Sequence, residues 1–258
     1  MTVPVALPAA FLDRPIAHRA YHDRVARRPE NSRAAIRAAI AAGYAIEIDI
    51  QPSADGVPMV FHDYDLRRLT GVPGRVRGLT AADLGNLLLL DADEGIPTLA
   101  DVLRIVAGQV PLLIEIKDQD GAMGPDVGPL EDAVARDLAG YAGPVALMSF
   151  NPHSVAALAR AAPQVPRGLT TSAYKAGDWP LLPAAVRDQL RDIPDLTRTG
   201  SSFVSHEAAD LDRPLIGALK ADGIAILCWT IRSPEAEAAA RRVAQNITFE
   251  AYPAALAR

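Results

Sequence analysis

The chain carries one cysteine in 258 residues, Cys228, so it can build neither an intramolecular disulfide nor a thiolate metal cluster. That cysteine lies in the apolar run Ile224-Ala225-Ile226-Leu227-Cys228-Trp229, where it reads as a small buried hydrophobe rather than a nucleophile. Positive charge is in deficit: 26 Lys and Arg against 31 Asp and Glu leave a formal charge of −5 and a pI near 5.5. A nucleic-acid-binding surface needs a basic patch, so no nucleic-acid partner is expected. No apolar run approaches the ~20 residues of a transmembrane helix. Pro4, Pro8 and Asp13 also interrupt the stretch that a signal peptide would keep apolar. A cytoplasmic protein without stable membrane insertion is the expectation. Missing too is a Gly-x-Gly-x-x-Gly after the first strand-like run, so a dinucleotide fold would lack its phosphate loop.

What is present is regular alternation, in a chain of which half the residues are hydrophobic. Strand-like runs are Pro15–His18, Ala45–Gln51, Val110–Lys117, Val145–Ser149, Arg167–Thr170, Phe203–Ser205, Ile224–Thr230 and Asn246–Glu250. Between them run Ala-rich helical patterns at Ser32–Ala42, Leu99–Ala107, Leu130–Leu138, Ser154–Ala161, Arg213–Ala221 and Pro234–Val243. Asn31 or Ser32, Thr98, and Ser233-Pro234 supply helix-start signals. Eight strands with intervening helices read as one (β/α)8 barrel, a fold of about 250 residues; a doubly wound open sheet is the alternative. The rhythm breaks from Pro58 to Gly95, where a short strand (Val57–Phe61), a turn around Thr70–Gly74 and a helical piece from Thr80 intervene. This predicts a small insertion after the second strand, roughly residues 52–97, bringing His62-Asp63 over the barrel mouth. The Gly/Asp-rich stretch 118–128 reads as a mobile loop beside the mouth.

Two strands carry an unusual pattern. Side chains at i and i+2 share a face, so Glu47 and Asp49 point the same way, as do Glu115 and Lys117. Their alternate neighbours are Ile and Leu, which belong on a buried face. With both faces covered, as in a helix-wrapped parallel sheet, the carboxylates lie in an interior or its mouth. Three carboxylates there cannot all stay ionised without positive charge among them, and a divalent cation is the simplest source. Active sites of such barrels sit at the C-terminal strand ends. Those ends read His18-Arg19, Glu47 and Asp49, Glu115 and Lys117, Ser149-Phe150-Asn151, Thr170, His206, Trp229-Thr230 and Glu250.

The phrases Ile16-Ala17-His18-Arg19, Pro29-Glu30-Asn31-Ser32, Glu47-Ile48-Asp49, Asp55-Gly56-Val57-Pro58-Met59-Val60-Phe61-His62-Asp63, Ile96-Pro97-Thr98-Leu99 and Ile114-Glu115-Ile116-Lys117 resemble the glycerophosphodiester phosphodiesterase family in order and spacing. The likeness is strong over the first half and thins afterwards to Ser149-Phe150 and Trp229-Thr230. It implies a (β/α)8 barrel that hydrolyses a small-molecule phosphodiester with two histidines and a divalent cation, usually Ca2+ or Mg2+. By motif, His18 and His62 become the acid/base pair, and Glu47, Asp49 and Glu115 the metal ligands. Arg19 and Lys117 would contact phosphoryl oxygens, and Trp229 would form a pocket wall against the alcohol. Oxygen-only ligands suit a hard cation, and a histidine pKa near 6.5 allows both protonation states at neutral pH. Direct attack by water and attack by a neighbouring substrate hydroxyl both remain open. So do a lysophospholipase D-like activity on lysolipids and a non-catalytic barrel that binds phosphorylated ligands. A metal-independent phospholipase C-like barrel would not need three carboxylates together.

The remaining residues take plainer readings. His22, His153 and His206 are expected as loop, surface or capping groups, and Asn31 as a helix cap, with Glu30 secondary to the site. Arg24, Arg27 and Arg28 read as a solvated face rather than a guide for an anionic substrate. Two departures stand out. The family's His-Arg-Gly is His18-Arg19-Ala20 here, which restricts the backbone after Arg19. Its Thr-Asp is Thr248-Phe249-Glu250, which sets a longer carboxylate at the last strand end.

Overall fold

The structure is a computed structural model and describes residues 4–256. Nine strands follow along the described chain: β1 (Ile16–Ala17), β2 (Ala45–Pro52), β3 (Pro58–Val60), β4 (Leu112–Ile116), β5 (Val145–Ser149), β6 (Arg167–Thr171), β7 (Phe203–Glu207), β8 (Ala225–Ile231) and β9 (Asn246–Phe249). All but β3 run parallel in the order β1-β2-β4-β5-β6-β7-β8-β9, and β9 pairs back onto β1. The sheet is therefore a closed eight-stranded barrel. Its helices are α1 (Ala10–Asp13), α2 (Arg33–Ala42), α3 (Arg67–Thr70), α4 (Ala81–Asn86), α5 (Leu99–Val106), α6 (Pro129–Asp137), α7 (Pro152–Ala161), α8 (Ala184–Arg191), α9 (Leu196–Thr199), α10 (Pro214–Ala221) and α11 (Pro234–Ala240). This is the (β/α)8 architecture that the strand count predicted.

Strand parity sorts the side chains into two cores. Ile46, Ile48, Ile50, Ile114, Ile116, Leu147, Val204, Ile226 and Ile247 face outward and pack beneath Ile36 of α2, Val102 of α5, Val134 of α6 and Val155 of α7. Each such side chain contributes roughly 1.5–3 kcal/mol when buried. Cys228 belongs to this outer core, fully buried, as its apolar run implied. The opposite parity fills the barrel's lower end, where Ile16, Ala45, Leu113, Ala146, Phe203 and Leu227 pack around Phe11 of α1. Phe203 lies across Gly168, where a Cβ would meet its ring at 2.5 Å. The glycine makes room for the ring.

Helix starts follow local chemistry. The Ser32 and Ser233 hydroxyls accept from the amides of Ala35 and Ala236, and Thr98 forms a reciprocal capping box with Asp101. Ser32, not Asn31, caps α2. Helices α8 and α9 are absent from the sequence-based expectation: α8 places Val186 and Leu190 on one face over only two turns, and α9 is a single turn.

Between β2 and α5, β3 pairs antiparallel with β2, setting Val60 opposite Ile50. The segment has its own small core of Met59, Phe61, Leu66, Leu69, Val76, Leu84, Leu89 and Ile96. It brings His62 to the barrel mouth. The loop 118–128 is anchored at Asp118, whose carboxylate accepts from Asn151 Nδ2 (2.7 Å) and the Met123 amide (3.1 Å). The Tyr64 hydroxyl also donates to the Asp118 carbonyl (2.6 Å).

Candidate active site

The inward parity of β2 carries Ala45, Glu47, Asp49 and Gln51, so the polarity of the barrel interior rises from floor to mouth. The register sets Asp49 opposite Glu115 on β4, and oxygen atoms of Glu47, Asp49 and Glu115 lie within 4.8 Å of one another. All three are buried, at 2%, 1% and 6% exposure. Charge is shared unevenly among them. Burial, then the Asp49 and Glu115 charges, push the Glu47 carboxyl well above its usual range. Burial acts the same way on Asp49, but Lys117, His62 and Arg19 outweigh it and hold that carboxyl far below its ordinary value. The Lys117 ammonium bridges Asp49 Oδ1 (2.8 Å) and Glu115 Oε1 (2.6 Å). Burial would discharge it, yet the two carboxylates raise it above a normal lysine.

Both mouth histidines are oriented by carboxylates. Glu250 Oε2 lies 2.5 Å from His18 Nδ1, and Asp63 Oδ1 lies 2.8 Å from His62 Nδ1. Glu250 is held well below its usual value, first by its hydrogen bond to His18, with His22 3.6 Å away and Arg232 adding to the effect. Asp63 is lowered as well, with bonds from His62 and Arg68 overcoming its burial. Both carboxylates are therefore ionised acceptors, so each imidazole donates Nδ1–H to its carboxylate, which leaves Nε2 uncommitted to that bond. Burial lowers the His18 pKa, more than Glu250 raises it, and favours the neutral ring near pH 7.

Supporting contacts fix the basic groups. The Arg19 amide donates to Glu47 Oε2 (2.8 Å) and its Nη1 to Glu30 Oε1 (2.8 Å), while its Nε, 3.7 Å from Asp49, has no hydrogen-bond partner. Glu30 also takes both terminal nitrogens of Arg68 (2.8 and 2.7 Å). Asn31 donates Nδ2–H to Asp49 Oδ2 (2.9 Å). Gln51 Nε2 donates to the carbonyls of Phe61, His62 and Asp63 (2.9, 3.0 and 2.6 Å) and ties the His62 segment to β2.

One cavity of about 180 Å³ collects His18, Arg19, Glu47, Asp49, His62, Glu115, Lys117 and Trp229. Trp229 stands as a wall, its Nε1 donating to the Ser205 carbonyl (3.1 Å) and its ring edge-on to Phe150 at 5.5 Å. The donor set fits a hard divalent cation: three clustered carboxylates, one of them pushed well above its usual pKa by burial and by the charges of the other two.

The profile of the glycerophosphoryl diester phosphodiesterase family matches residues 18–248. The chain belongs to this family. A Bacillus subtilis relative, YhdW, provisionally named a glycerophosphodiester phosphodiesterase, is 26% identical over 87% of this chain and 90% of its own. The glycerophosphodiester phosphodiesterase of Caldanaerobacter subterraneus is 30% identical over 60% of this chain and 65% of its own. Among solved structures, an Oleispira antarctica phosphodiesterase in complex with sn-glycerol-3-phosphate superposes with a TM-score of 0.73 at 24% identity, covering 95% of this chain and 96% of that one. The fold is shared. The protein is an enzyme of the phosphodiesterase class.

All eight residues picked from the sequence therefore meet in one cavity. Asn31 is corrected: it braces Asp49 instead of capping a helix. His206 turns to the outer face, fully buried between Thr171 Oγ1 (2.8 Å) and Asp210 (3.3 Å), as a core histidine. The His153 amide is bound by Asn151 at the start of α7, and the residue does not line the cavity. His22 sits nearer than expected, with Nε2 3.6 Å from Glu250. Arg24 and Arg27 pair with Asp91 (2.6 Å) and Asp93 (3.0 Å), as a solvated face would. The sequence reading gave Asp63 and Gln51 no part as supports of the mouth and set Glu30 as secondary to the site, whereas Glu30 binds both Arg19 and Arg68. Asp63 had a signal, since it stands beside His62. The reach of Gln51 back to residues 61–63 had none, because it depends on how β3 folds over β2.

Proposed function

We propose that this enzyme hydrolyses glycerophosphodiesters to an alcohol and glycerol 3-phosphate by paired histidine acid–base catalysis with a divalent cation. The observation that carries this reading is the pair of carboxylate-oriented imidazoles facing the cavity that holds three clustered carboxylates. Glu47, Asp49 and Glu115 would hold Mg2+ or Ca2+, which when bound supplies positive charge to the phosphoryl oxygens. Arg19 and Lys117 add fixed positive charge where negative charge grows in the transition state. His18, held neutral by burial, takes the proton from the attacking oxygen at Nε2. That oxygen forms its bond to phosphorus as the ester bond to the alcohol breaks. His62 gives its Nε2 proton to the departing alkoxide, and Trp229 with Phe150 offers that alcohol an apolar wall.

The test is release of glycerol 3-phosphate from glycerophosphocholine and glycerophosphoethanolamine, with and without EDTA. Turnover that EDTA abolishes and Mg2+ or Ca2+ restores is expected. Absence of turnover on every diester with metal supplied would favour a non-catalytic barrel.

A further inference from the structure

Arg68, on the single-turn helix α3, does not line the catalytic cavity, yet it is bonded to two carboxylates that serve it. Its Nε donates to Asp63 Oδ2 (2.5 Å) and its Nη1 to Glu30 Oε2 (2.8 Å). Its Nη2 donates twice, to Asp63 Oδ1 (2.9 Å) and to Glu30 Oε1 (2.7 Å). Both of those oxygens already hold a group of the site. Asp63 Oδ1 accepts from His62 Nδ1 (2.8 Å), and Glu30 Oε1 accepts from Arg19 Nη1 (2.8 Å). One nitrogen of Arg68 therefore stands between the oxygen that orients His62 and the oxygen that orients Arg19.

An ordinary surface ion pair is built differently. Arg24 and Arg27 each meet a single carboxylate, Asp91 and Asp93, and exposed pairs of that kind add little to stability. Arg68 is half-exposed as well, so its charge alone adds little to the fold. What four bonds from a planar fork supply is geometry. The site needs geometry here, because its parts come from different elements. His62 arrives on the insertion, which has a core of its own, whereas Arg19 follows β1 and Glu30 precedes α2. Arg19 has a second anchor, its amide bond to Glu47, so it is the fixed end of the chain of bonds. His62 is the end that needs holding. A misplacement of about 1 Å in a reacting group can cost about 10²-fold in rate.

We propose that Arg68 is a positioning residue, which holds the Asp63–His62 pair of the insertion at a fixed place relative to Glu30 and Arg19 of the barrel. It touches no substrate and acts through His62. This rests on the phosphodiesterase reading above, in which His62 protonates the departing alkoxide.

Leaving-group dependence tests it, because a merely structural role would not respond to the leaving group. Arg68→Ala should lower kcat on glycerophosphocholine about tenfold or more, with KM within about twofold. Most of that loss should be recovered on a p-nitrophenyl diester, whose departing oxygen scarcely needs a proton. Arg68→Lys keeps the charge but not the fork, and should show a smaller loss with the same recovery. In a His62→Ala background, Arg68→Ala should cost less than about twofold more, since the residue it positions is gone. Equal loss on both substrates, a raised KM with kcat intact, or a full further loss in the double variant would each overturn the proposal. The melting temperature of Arg68→Ala should stay within about 4 °C of wild type. A fall well beyond that would make Arg68 a structural residue and would also overturn it. If wild type turns over no diester, the phosphodiesterase reading fails by itself. Crystal structures of wild type and Arg68→Ala then decide on Arg68: a His62 ring displaced by about 1 Å or more supports the proposal, and an unmoved ring overturns it.

Discussion

At the scale of single residues, the turn after β1 holds strain beside the chemistry. Arg19 and Ala20 both adopt left-handed backbone, with φ of 51° and 65°, although neither is glycine. This costs an L-residue roughly 1–2 kcal/mol. Both sites are pinned: the Arg19 amide is bound by Glu47, and the Ala20 amide donates to the Glu47 carbonyl (2.9 Å). The restriction read from Ala20 is therefore overridden by the fold. Ala20→Gly should raise the melting temperature by about 2–4 °C, the equivalent of about 1 kcal/mol in a chain of this size, and leave kcat/KM within twofold. A fall in both quantities would show that the methyl group packs to more effect than its strain costs.

His18 offers a second residue-scale prediction. Its pKa is lowered by burial and raised in part by Glu250. The neutral ring is the working form of a base, so the acid limb of kcat/KM should fall below the ordinary histidine value of 6.5. Glu250→Gln removes the partner that raises the pKa and should move that limb to still lower pH, while lowering kcat through poorer orientation of the ring. A limb that stays in place on a full pH–rate profile would mean that Glu250 does not act on His18.

At the scale of elements, the barrel was legible because both of its signals are local. Alternation of apolar and polar residues at spacing two identified β2 and β4, and the same spacing set Glu47, Asp49 and Glu115 on one face. The supports of the site were not legible in this way. Gln51 lies on the same inward parity, but its value comes from β3 folding back to present three carbonyls to it. Asn31 reads as a helix cap until β2 brings Asp49 within 2.9 Å of it. Gln51→Ala should cost about 1–3 kcal/mol for the buried carbonyls it abandons, measured by chemical denaturation. It should also lower kcat about tenfold with little change in KM, since it loosens His62 and not substrate binding. A raised KM with kcat intact would point to a binding role instead. Gly168 marks the tightest approach between elements: Gly168→Ala would drive a methyl into Phe203 and should destabilise the protein by roughly 1–3 kcal/mol.

At the scale of the whole molecule, the protein is a barrel whose lower end is apolar and whose mouth is polar and charged. No helix among the described residues is long and apolar enough to cross a membrane. The concentrated charge has a consequence for stability. Burial and the neighbouring carboxylates raise the Glu47 carboxyl above its ordinary value of 4.5, so between that value and the raised one the folded state binds more protons than the unfolded chain. The metal-free protein therefore loses stability as pH rises through that window. Glu47→Gln should flatten this slope and raise the melting temperature of metal-free protein near neutral pH, while weakening stabilisation by added Mg2+ or Ca2+. Collapse of the metal-free variant would instead make Glu47 a structural hydrogen-bonding residue.

The central claim is that His18 and His62 act on opposite sides of one phosphorus, and leaving-group dependence tests it most directly. A p-nitrophenyl diester scarcely needs a proton on its departing oxygen. kcat is measured for His18→Ala and His62→Ala on glycerophosphocholine and on the p-nitrophenyl diester. Both variants should lose about 10²-fold or more on the natural-type substrate. His62→Ala should recover most of that loss on the p-nitrophenyl diester, and His18→Ala should not. Equal losses for both variants on both substrates would contradict the account and reduce the two imidazoles to positioning groups.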